Sequence, residues 1–227
     1  MPYQVIGWDV GIKNLAYSVV SIQGKASPLK DAVVKDWQIV NLVDPPPTFN
    51  CFQCDGNAKY FELVGREKQY GCGHHIAKER RKVVPKKKIK RDLHKFGTTL
   101  FAELEKRKKI MLSADAIVIE NQPCLQNPFM KSIQIMLFSW FVYHGQNVSM
   151  TSATNKLKVY RGDPIDVSHI KSKYSQRKKL GILQCKLLLS QDEKSTTILE
   201  QNKAKCDDLC DAYLLACYKI LTWQKTK

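Results

Sequence analysis

The segment VIGWDVGIKNLAYSVV, from Val5 to Val20, carries the clearest structural signal in the chain. Its first residues are apolar, two glycines flank Asp9, and a second β-prone run extends from Leu15 to Ile22. This pattern predicts a strand, a tight turn and an antiparallel return strand. Asp9 then falls near the end of the first strand, where burying a charge is costly unless the carboxylate has a partner. A divalent cation is one such partner, and an Asp that only caps the turn is the alternative.

Length and charge narrow the class of protein. The chain has 227 residues, which suits one large domain or one domain with an insertion. Its formal net charge of +16 predicts a polyanionic partner, most often nucleic acid. No apolar run approaches the length of a membrane span, so we expect no membrane insertion. Eight cysteines without a secretory leader favour an intracellular, reducing compartment.

The hydrophobic pattern predicts the order of the elements. Strands are predicted over residues 3–10, 14–23, 33–42, 115–120 and 148–154. Helices are predicted over residues 87–112, 129–143, 174–190 and 205–224, with 156–173 as a loop and 191–203 as a polar connection. Three meandering strands followed by alternating helices and strands predict an α/β fold with a mixed sheet flanked by helices.

Residues 44–86 differ from the rest in composition and are predicted to form a small inserted fold with a basic linker. This divides the chain into a main domain, residues 1–43 and 87–227, and the insertion. The insertion contains Cys51-x2-Cys54 and Cys72-x-His74-His75, which have the ligand types and spacing of a structural zinc site. Cys51, Cys54, Cys72 and either His74 or His75 would bind Zn²⁺ and stabilise a segment with few apolar residues. Three free thiols in a loop are the alternative.

Acidic residues mark three of the predicted elements. Asp9 ends the first strand, Glu120 ends the strand 115–120, and Asp208 and Asp211 share one face at the start of the last helix. Acids at a helix start are also favoured by the helix dipole, so capping alone accounts for the last pair equally well. If strands one and four are neighbours, the four carboxylates converge and need cations between them. Two Mg²⁺ (or Mn²⁺) ions would suit such an all-oxygen site.

Three motifs resemble those of a known family. They are GWDVGIKNLA at residues 7–16, IENQP at 119–123 and DDLCDA at 207–212. They are similar to the signatures of RuvC-like Holliday junction resolvases, in particular the poxvirus and related large-DNA-virus enzymes and their mitochondrial relatives. The resemblance implies a ribonuclease H-like five-stranded sheet and covers the chain outside 44–86, so the predicted zinc-knuckle-like insertion is an addition to the family pattern.

The resemblance also implies roles for individual residues. Asp9, Glu120, Asp208 and Asp211 match the family's catalytic, Mg-binding acids, and Asp207 is one residue early, which fits a cap or a substitute. The family carries a basic residue near the start of the preceding helix, and Lys179 matches that place better than Lys178. A viral source would imply a replication site in the host cytoplasm or nucleus, and a mitochondrial location is less favoured.

Two basic segments and one apolar helix suggest macromolecular partners. Residues 78–95 contain ten Lys or Arg against two acids, and a second basic stretch covers residues 156–179. Both are predicted to contact DNA phosphates without reading sequence, with a solvated helix face as the alternative for the first. The helix 129–143 is apolar nearly all round, which favours burial in the core and also suits a homodimer interface.

Together these patterns predict an Mg-dependent endonuclease that cleaves Holliday junctions and other branched DNA, acting as a homodimer. Two alternatives stay open at this point. One is another ribonuclease H-fold enzyme, acting on RNA–DNA hybrids or as a transposase-like strand transferase. The other is a non-catalytic zinc-knuckle DNA-binding protein whose acids only cap helices.

Overall fold

The computed structural model describes residues 2–43, 48–85 and 91–226, which form two compact units. The larger unit takes its residues from Met1–Leu42 and Arg91–Lys227, and the smaller from Val43–Lys90. The predicted start of the first helix, at residues 87–90, and the proline run at 45–47 lie outside the described residues.

The elements follow one another in an order that the hydrophobic pattern largely predicts. They are β1 (Tyr3–Asp9), β2 (Leu15–Ile22), β3 (Val33–Val40), β4 (Tyr60–Val64), β5 (Glu67–Gly71), β6 (Lys82–Val83), α1 (Leu93–Lys106), α2 (Lys108–Met111), β7 (Ala116–Glu120), α3 (Pro128–Tyr143), β8 (Val148–Thr151), α4 (Lys173–Leu188), α5 (Glu193–Gln201) and α6 (Cys206–Lys225). The larger unit contains a five-stranded sheet in the order β3-β2-β1-β7-β8. β1 is central, antiparallel to β2 and parallel to β7, so the predicted mixed sheet is confirmed.

Three details differ from the predicted elements. The connection predicted over 191–203 contains α5, because Asp192 caps a helix there by accepting a hydrogen bond from the Ser195 amide at 3.1 Å. Only Ser195 and Leu199 of α5 are buried, so the sequence shows little apolar periodicity. The predicted loop 156–173 begins inside a 3₁₀ helix, Ala153–Lys158. The helix predicted to continue to residue 112 is interrupted at Arg107, between α1 and α2.

Helix α6 packs directly on the central strand at Gly7. A Cβ atom at Gly7 would lie 2.2 Å from the carbonyl oxygen of Ala212 and 2.6 Å from the amide nitrogen of Ala216. Only a residue without a side chain permits this approach. Because side chains alternate along a strand, Asp9 points to the same face as Gly7, the face that α6 covers. The close packing therefore brings the N-terminal part of α6 towards the Asp9 carboxylate.

The opposite face of the sheet packs against α3. Trp8 is 1% exposed and its ring lies 6.3 Å from that of Phe141, a buried residue of α3. α3 also buries Ile133 and Leu137 completely. The sheet is therefore covered on both faces, as expected for an α/β fold.

The smaller unit has its own three-stranded antiparallel sheet, in the order β5-β4-β6. Phe49 stacks on Tyr70 with ring centroids 3.9 Å apart, and Phe61 is 9% exposed. Within the described parts of both units, every helix is too short or too polar to cross a lipid bilayer.

We expect the substitution Gly7→Ala to destabilise the fold by at least about 2 kcal/mol, because the new methyl group overlaps the α6 backbone, which cannot move aside without unpacking the helix. The matched control is Gly24→Ala, where a Cβ meets nothing within 4 Å, and its effect should stay within about 0.5 kcal/mol. Chemical denaturation of both variants measures the difference. Equal stability of the two would contradict this packing.

Candidate active site and a second metal-ligand cluster

Asp9 and Glu120 lie side by side at the edge of the sheet where two parallel strands end. The register pairs Trp8 of β1 with Ile119 of β7, so the next residue on each strand is an acid. Carboxylate oxygens of Asp9, Glu120 and Asp211 all lie within 4.8 Å of one another. The structure therefore brings together three of the four acids that the sequence predicts for one site.

Asp211 reaches this position from the first turns of α6. Its side chain is 18% exposed, and an oxygen of it lies 3.3 Å from where a Cβ would stand on Gly181 of α4. The absence of a side chain at Gly181 leaves room for the carboxylate between α4 and the sheet edge. Two glycines, Gly7 and Gly181, thus adjoin the acidic cluster.

Lys156 lies among the three acids and was not predicted as part of the site. It belongs to the 3₁₀ helix that follows β8, and its Nζ lies 2.5 Å from Asp211 Oδ2 and 3.1 Å from Glu120 Oε2. The sequence places it only in a basic stretch of phosphate-contacting residues. Its position just after β8 could have predicted its place in the site, because the carboxyl ends of neighbouring parallel strands meet at the same edge of a sheet.

The electrostatics of this cluster follow from burial and mutual repulsion. Burial, and then the charges of Glu120 and Asp211, raise the pKa of Asp9 well above its ordinary value. Burial also raises the pKa of Asp211 to about 6, although Lys156 opposes the shift. Burial lowers the pKa of Lys156, but the carboxylates of Asp211, Glu120 and Asp9 outweigh it and raise that pKa above its usual range. The lysine is therefore a protonated counter-ion for clustered acids.

The three carboxylates have the chemistry of a site for a hard divalent cation. They supply only oxygen ligands, which Mg²⁺, Mn²⁺ and Ca²⁺ prefer. Their side chains are largely buried, and one lysine balances one of three charges. Two ionised carboxylates 4.8 Å apart repel by about 3.5 kcal/mol at an effective dielectric constant of about 20, which a cation between them would relieve.

The other candidate acids, Asp207 and Asp208, precede Asp211 on α6, and the candidate lysines, Lys178 and Lys179, belong to α4. Asp208 is outside the group of three acids within 4.8 Å, and burial followed by the charge of Asp207 raises its pKa. Asp207 forms an ion pair with Lys178, whose Nζ also lies 5.5 Å from the centroid of the Tyr174 ring. Lys179 is exposed. The roles proposed for Asp208 and Lys179 stay predictions, and Lys156 is the lysine that contacts the acids.

We expect Asp9→Asn to raise the melting temperature of metal-free protein at pH 7.5 by about 2–4 °C, because it removes an acid whose ionisation is opposed by burial and by two neighbouring carboxylates. A carboxyl whose pKa is raised in the folded state binds more protons there than when unfolded, so stability falls as pH rises above the unfolded pKa. For Asp211 this window extends from about 4 to about 6.

Thermal unfolding at pH 5 and pH 7.5, with and without Mg²⁺, measures both effects. Asp9→Asn should flatten the pH dependence and abolish stabilisation by Mg²⁺. The exposed Asp31→Asn is the control and should change neither. A lower melting temperature for Asp9→Asn without metal would contradict the electrostatic account.

The smaller unit contains a second cluster of metal-ligand type, formed by Cys51, Cys54, Cys72 and His75. The Nδ1 atom of His75 lies 3.3 Å from Cys51 Sγ and 3.4 Å from Cys72 Sγ, and the sulfurs of Cys54 and Cys72 are 4.0 Å apart. Ligands on a tetrahedral zinc ion would be separated by about 3.5–3.8 Å. The geometry fits a Cys₃His site.

Local backbone contacts explain why His75, and not His74, reaches this cluster. The His75 amide donates to the Cys72 carbonyl at 3.4 Å, which closes a turn and directs the two side chains together. His74 is exposed. Burial raises the pKa of the Cys51 thiol, but backbone amides of Gln53 and Cys72 outweigh it and lower that pKa to about 6. A thiolate is the form that binds zinc.

We expect purified protein to contain about one equivalent of zinc, since the cluster offers one complete tetrahedral ligand set. His75→Ala should weaken zinc binding by more than about tenfold, because it removes a ligand, and His74→Ala should leave it unchanged. Metal analysis and competition with a chelator measure the affinities. Equal loss in both variants, or less than half an equivalent of zinc in the wild type, would refute the site.

Known structures share the architecture of the larger unit and its sheet. The fowlpox virus resolvase, solved with its substrate Holliday junction DNA, superposes with a TM-score of 0.55 at 12% identity, covering 97% of this chain and 98% of that one. The yeast mitochondrial Holliday junction resolvase gives a TM-score of 0.52 at 16% identity, covering 98% and 80%. The chain therefore has the fold of the Holliday junction resolvases, which confirms the predicted ribonuclease H-like class.

One sequence relative is a viral protein. An uncharacterized protein of Acanthamoeba polyphaga mimivirus is 33% identical, over 74% of this chain and 46% of its own length. The chain thus spans about half the length of the curated relative it matches. No protein-family model matches the sequence.

Proposed function

We propose that this chain is a metal-dependent endonuclease that cleaves Holliday junctions and other branched DNA. The observation that carries the proposal is the cluster of Asp9, Glu120 and Asp211 at the carboxyl edge of a resolvase-type sheet. Three carboxylates from two strands and a helix are costly to assemble in a folded protein. A cation-dependent reaction supplies a reason for keeping them together.

The residues of the cluster have distinct roles in this proposal. Asp9, Glu120 and Asp211 hold the cations, with Asp208 as a further ligand at the margin, and two Mg²⁺ (or Mn²⁺) ions are proposed for each site. When bound, such ions activate water and stabilise the leaving oxygen of a phosphodiester. Lys156, held 2.5 Å from Asp211, orients that carboxylate and neutralises part of the charge that a phosphate would otherwise meet.

The surface charge and the apolar helix support a DNA substrate and a dimer. The net charge of +16 favours association with a polyanion, and the second basic stretch begins at Lys156 inside the acidic cluster. Ile135, Val142 and Tyr143 of α3 are 44%, 51% and 85% exposed, which supports the proposed homodimer through this helix. Two copies would present two sites to the opposed strands of a four-way junction. An intracellular viral replication site is the proposed location.

We expect purified protein to cut a labelled four-way junction only when Mg²⁺ or Mn²⁺ is present. Asp9→Asn and Glu120→Gln should each reduce the cleavage rate by at least about 100-fold, because each removes a charged ligand while preserving side-chain size. Asp31→Asn, an exposed acid, is the matched control and should cut at the wild-type rate. Full Mg²⁺-dependent cleavage by either Asp9→Asn or Glu120→Gln would refute the assignment.

The same assay separates the alternatives. Linear duplex and an RNA–DNA hybrid, tested beside the junction, distinguish a junction resolvase from another ribonuclease H-fold nuclease. Junction binding without cleavage at any Mg²⁺ concentration would favour the non-catalytic protein.

Comparing Lys156→Met with Lys179→Met tests which lysine contributes to cleavage, and the geometry predicts the larger loss of cleavage rate for Lys156→Met.

A further inference from the structure

Gln134 is a fully buried amide on a helix that is otherwise packed with apolar side chains. It is 0% exposed and lies between Ile133 and Leu137 of α3, which are also 0% exposed. A buried amide without partners would cost roughly 1–3 kcal/mol. The partners of its hydrogen bonds therefore indicate which parts of the chain the Gln134 side chain positions.

The polar atoms of Gln134 contact two chain segments beside the acidic cluster. Its Oε1 accepts a hydrogen bond from the backbone amide of Gln122 at 2.8 Å and another from Lys131 Nζ at 3.2 Å. Its Nε2 lies against Met150 Sδ. Gln122 is two residues beyond Glu120, and Met150 precedes the end of β8 by one residue. The amide thus links the ends of β7 and β8 from within the core.

These ends are where the backbone ladder between the two strands stops. The last registered pair is Glu120 with Thr151, followed by one hydrogen bond from the Asn121 amide to the Thr151 carbonyl at 2.7 Å. Beyond it the chains separate, one towards the start of α3 and the other into the 3₁₀ helix that carries Lys156. Lys131 extends the link by donating to Asn121 Oδ1 at 2.7 Å. Gln134 therefore connects the two segments by side-chain contacts just beyond the point where their main-chain pairing ends.

The two segments joined in this way carry the two groups that meet at the site. Glu120 ends β7, Lys156 follows β8, and their side chains form an ion pair at 3.1 Å. An apolar residue of similar size at position 134 would fill the same space in the core without a polar desolvation cost. Such a residue would leave the Gln122 amide and Lys131 without this acceptor. Gln134 therefore contacts groups at the edge that carries the acidic cluster, in addition to packing in the core.

We propose that Gln134 is a positioning residue for the acidic cluster. It fixes the main chain after Glu120 relative to β8, and so holds the Glu120 carboxylate where it meets Lys156, Asp9 and Asp211. The inference rests on the proposed nuclease function. The site depends on residue 134 because its side-chain oxygen accepts hydrogen bonds from the Gln122 amide and from Lys131.

Two variants of one size separate this role from core packing. Gln134→Leu removes both acceptor contacts and leaves an apolar core. Gln134→Glu keeps an oxygen for Gln122 and Lys131, but it replaces the amide nitrogen beside Met150 with a second oxygen and adds an ionisable group next to Lys131. Ile133→Val on the same helix controls for a small loss of packing, which should lower stability by about 0.5–1.5 kcal/mol with unchanged cleavage.

Three measurements are made on the full chain: hydrogen exchange of the Gln122 amide, Mn²⁺ binding by calorimetry, and Mg²⁺-dependent cleavage of a four-way junction. Gln134→Leu should expose the Gln122 amide to exchange, and weaken both Mn²⁺ affinity and cleavage by about tenfold or more. Gln134→Glu should stay within about threefold of wild type in both.

The outcomes distinguish the two claims. If the wild type cleaves junctions and Gln134→Leu keeps wild-type Mn²⁺ affinity and cleavage, the positioning role is refuted and the nuclease stands. If Gln134→Glu is as impaired as Gln134→Leu, the acceptor contacts are not the reason and the proposal is also refuted. If the wild type neither binds Mn²⁺ nor cleaves, the proposed function itself fails, and the positioning role fails with it.

Discussion

The contact between the backbone of α6 and Gly7 of the central strand is the constraint from which the site follows. It brings a helix against the sheet more closely than any residue with a side chain at position 7 would permit. Asp9 lies two residues further along the same face, and Asp211 lies one residue before the contacted Ala212. The close packing at Gly7 therefore also brings the Asp9 and Asp211 carboxylates together.

Bringing acids together in this way has an electrostatic cost that other parts of the fold offset. Lys156 balances part of the charge from a chain segment more than thirty residues away from either strand acid. Burial and the neighbouring carboxylates raise the pKa of Asp9, and burial raises the pKa of Asp211 to about 6 although Lys156 opposes the shift. In the proposed function a bound cation would relieve this repulsion, so the cost of assembling the acids fits a site in which function is favoured over stability. Gln134 supports the same edge from the opposite face of the sheet, where α3 packs.

The smaller unit depends on a different interaction. Its sheet has few fully buried apolar residues, and its Cys₃His cluster joins segments that are about twenty residues apart in sequence. Metal binding in such a unit supplies folding free energy that a small core cannot. The larger unit, with a sheet covered on both faces, has no such need. If the predicted zinc binds, the larger unit is stabilised mainly by burial and the smaller one by coordination as well.

Local patterns in the sequence were sufficient for most elements of the larger unit, for its mixed sheet and for the kinds of residue at each candidate site. Period-two and period-3.6 patterns determine which face of a strand or helix is apolar, and glycines and acids at strand ends mark where chemistry is placed. Helix α5 escaped prediction because only two of its residues are buried. Tertiary packing decided which groups meet: Asp211 lies inside the cluster and Asp208 outside it, Lys156 contacts two of the acids, and His75 rather than His74 joins the three cysteines. Distances between residues far apart in the chain depend on how closely helices approach the sheet and where strand pairing stops, and no local periodicity encodes either quantity.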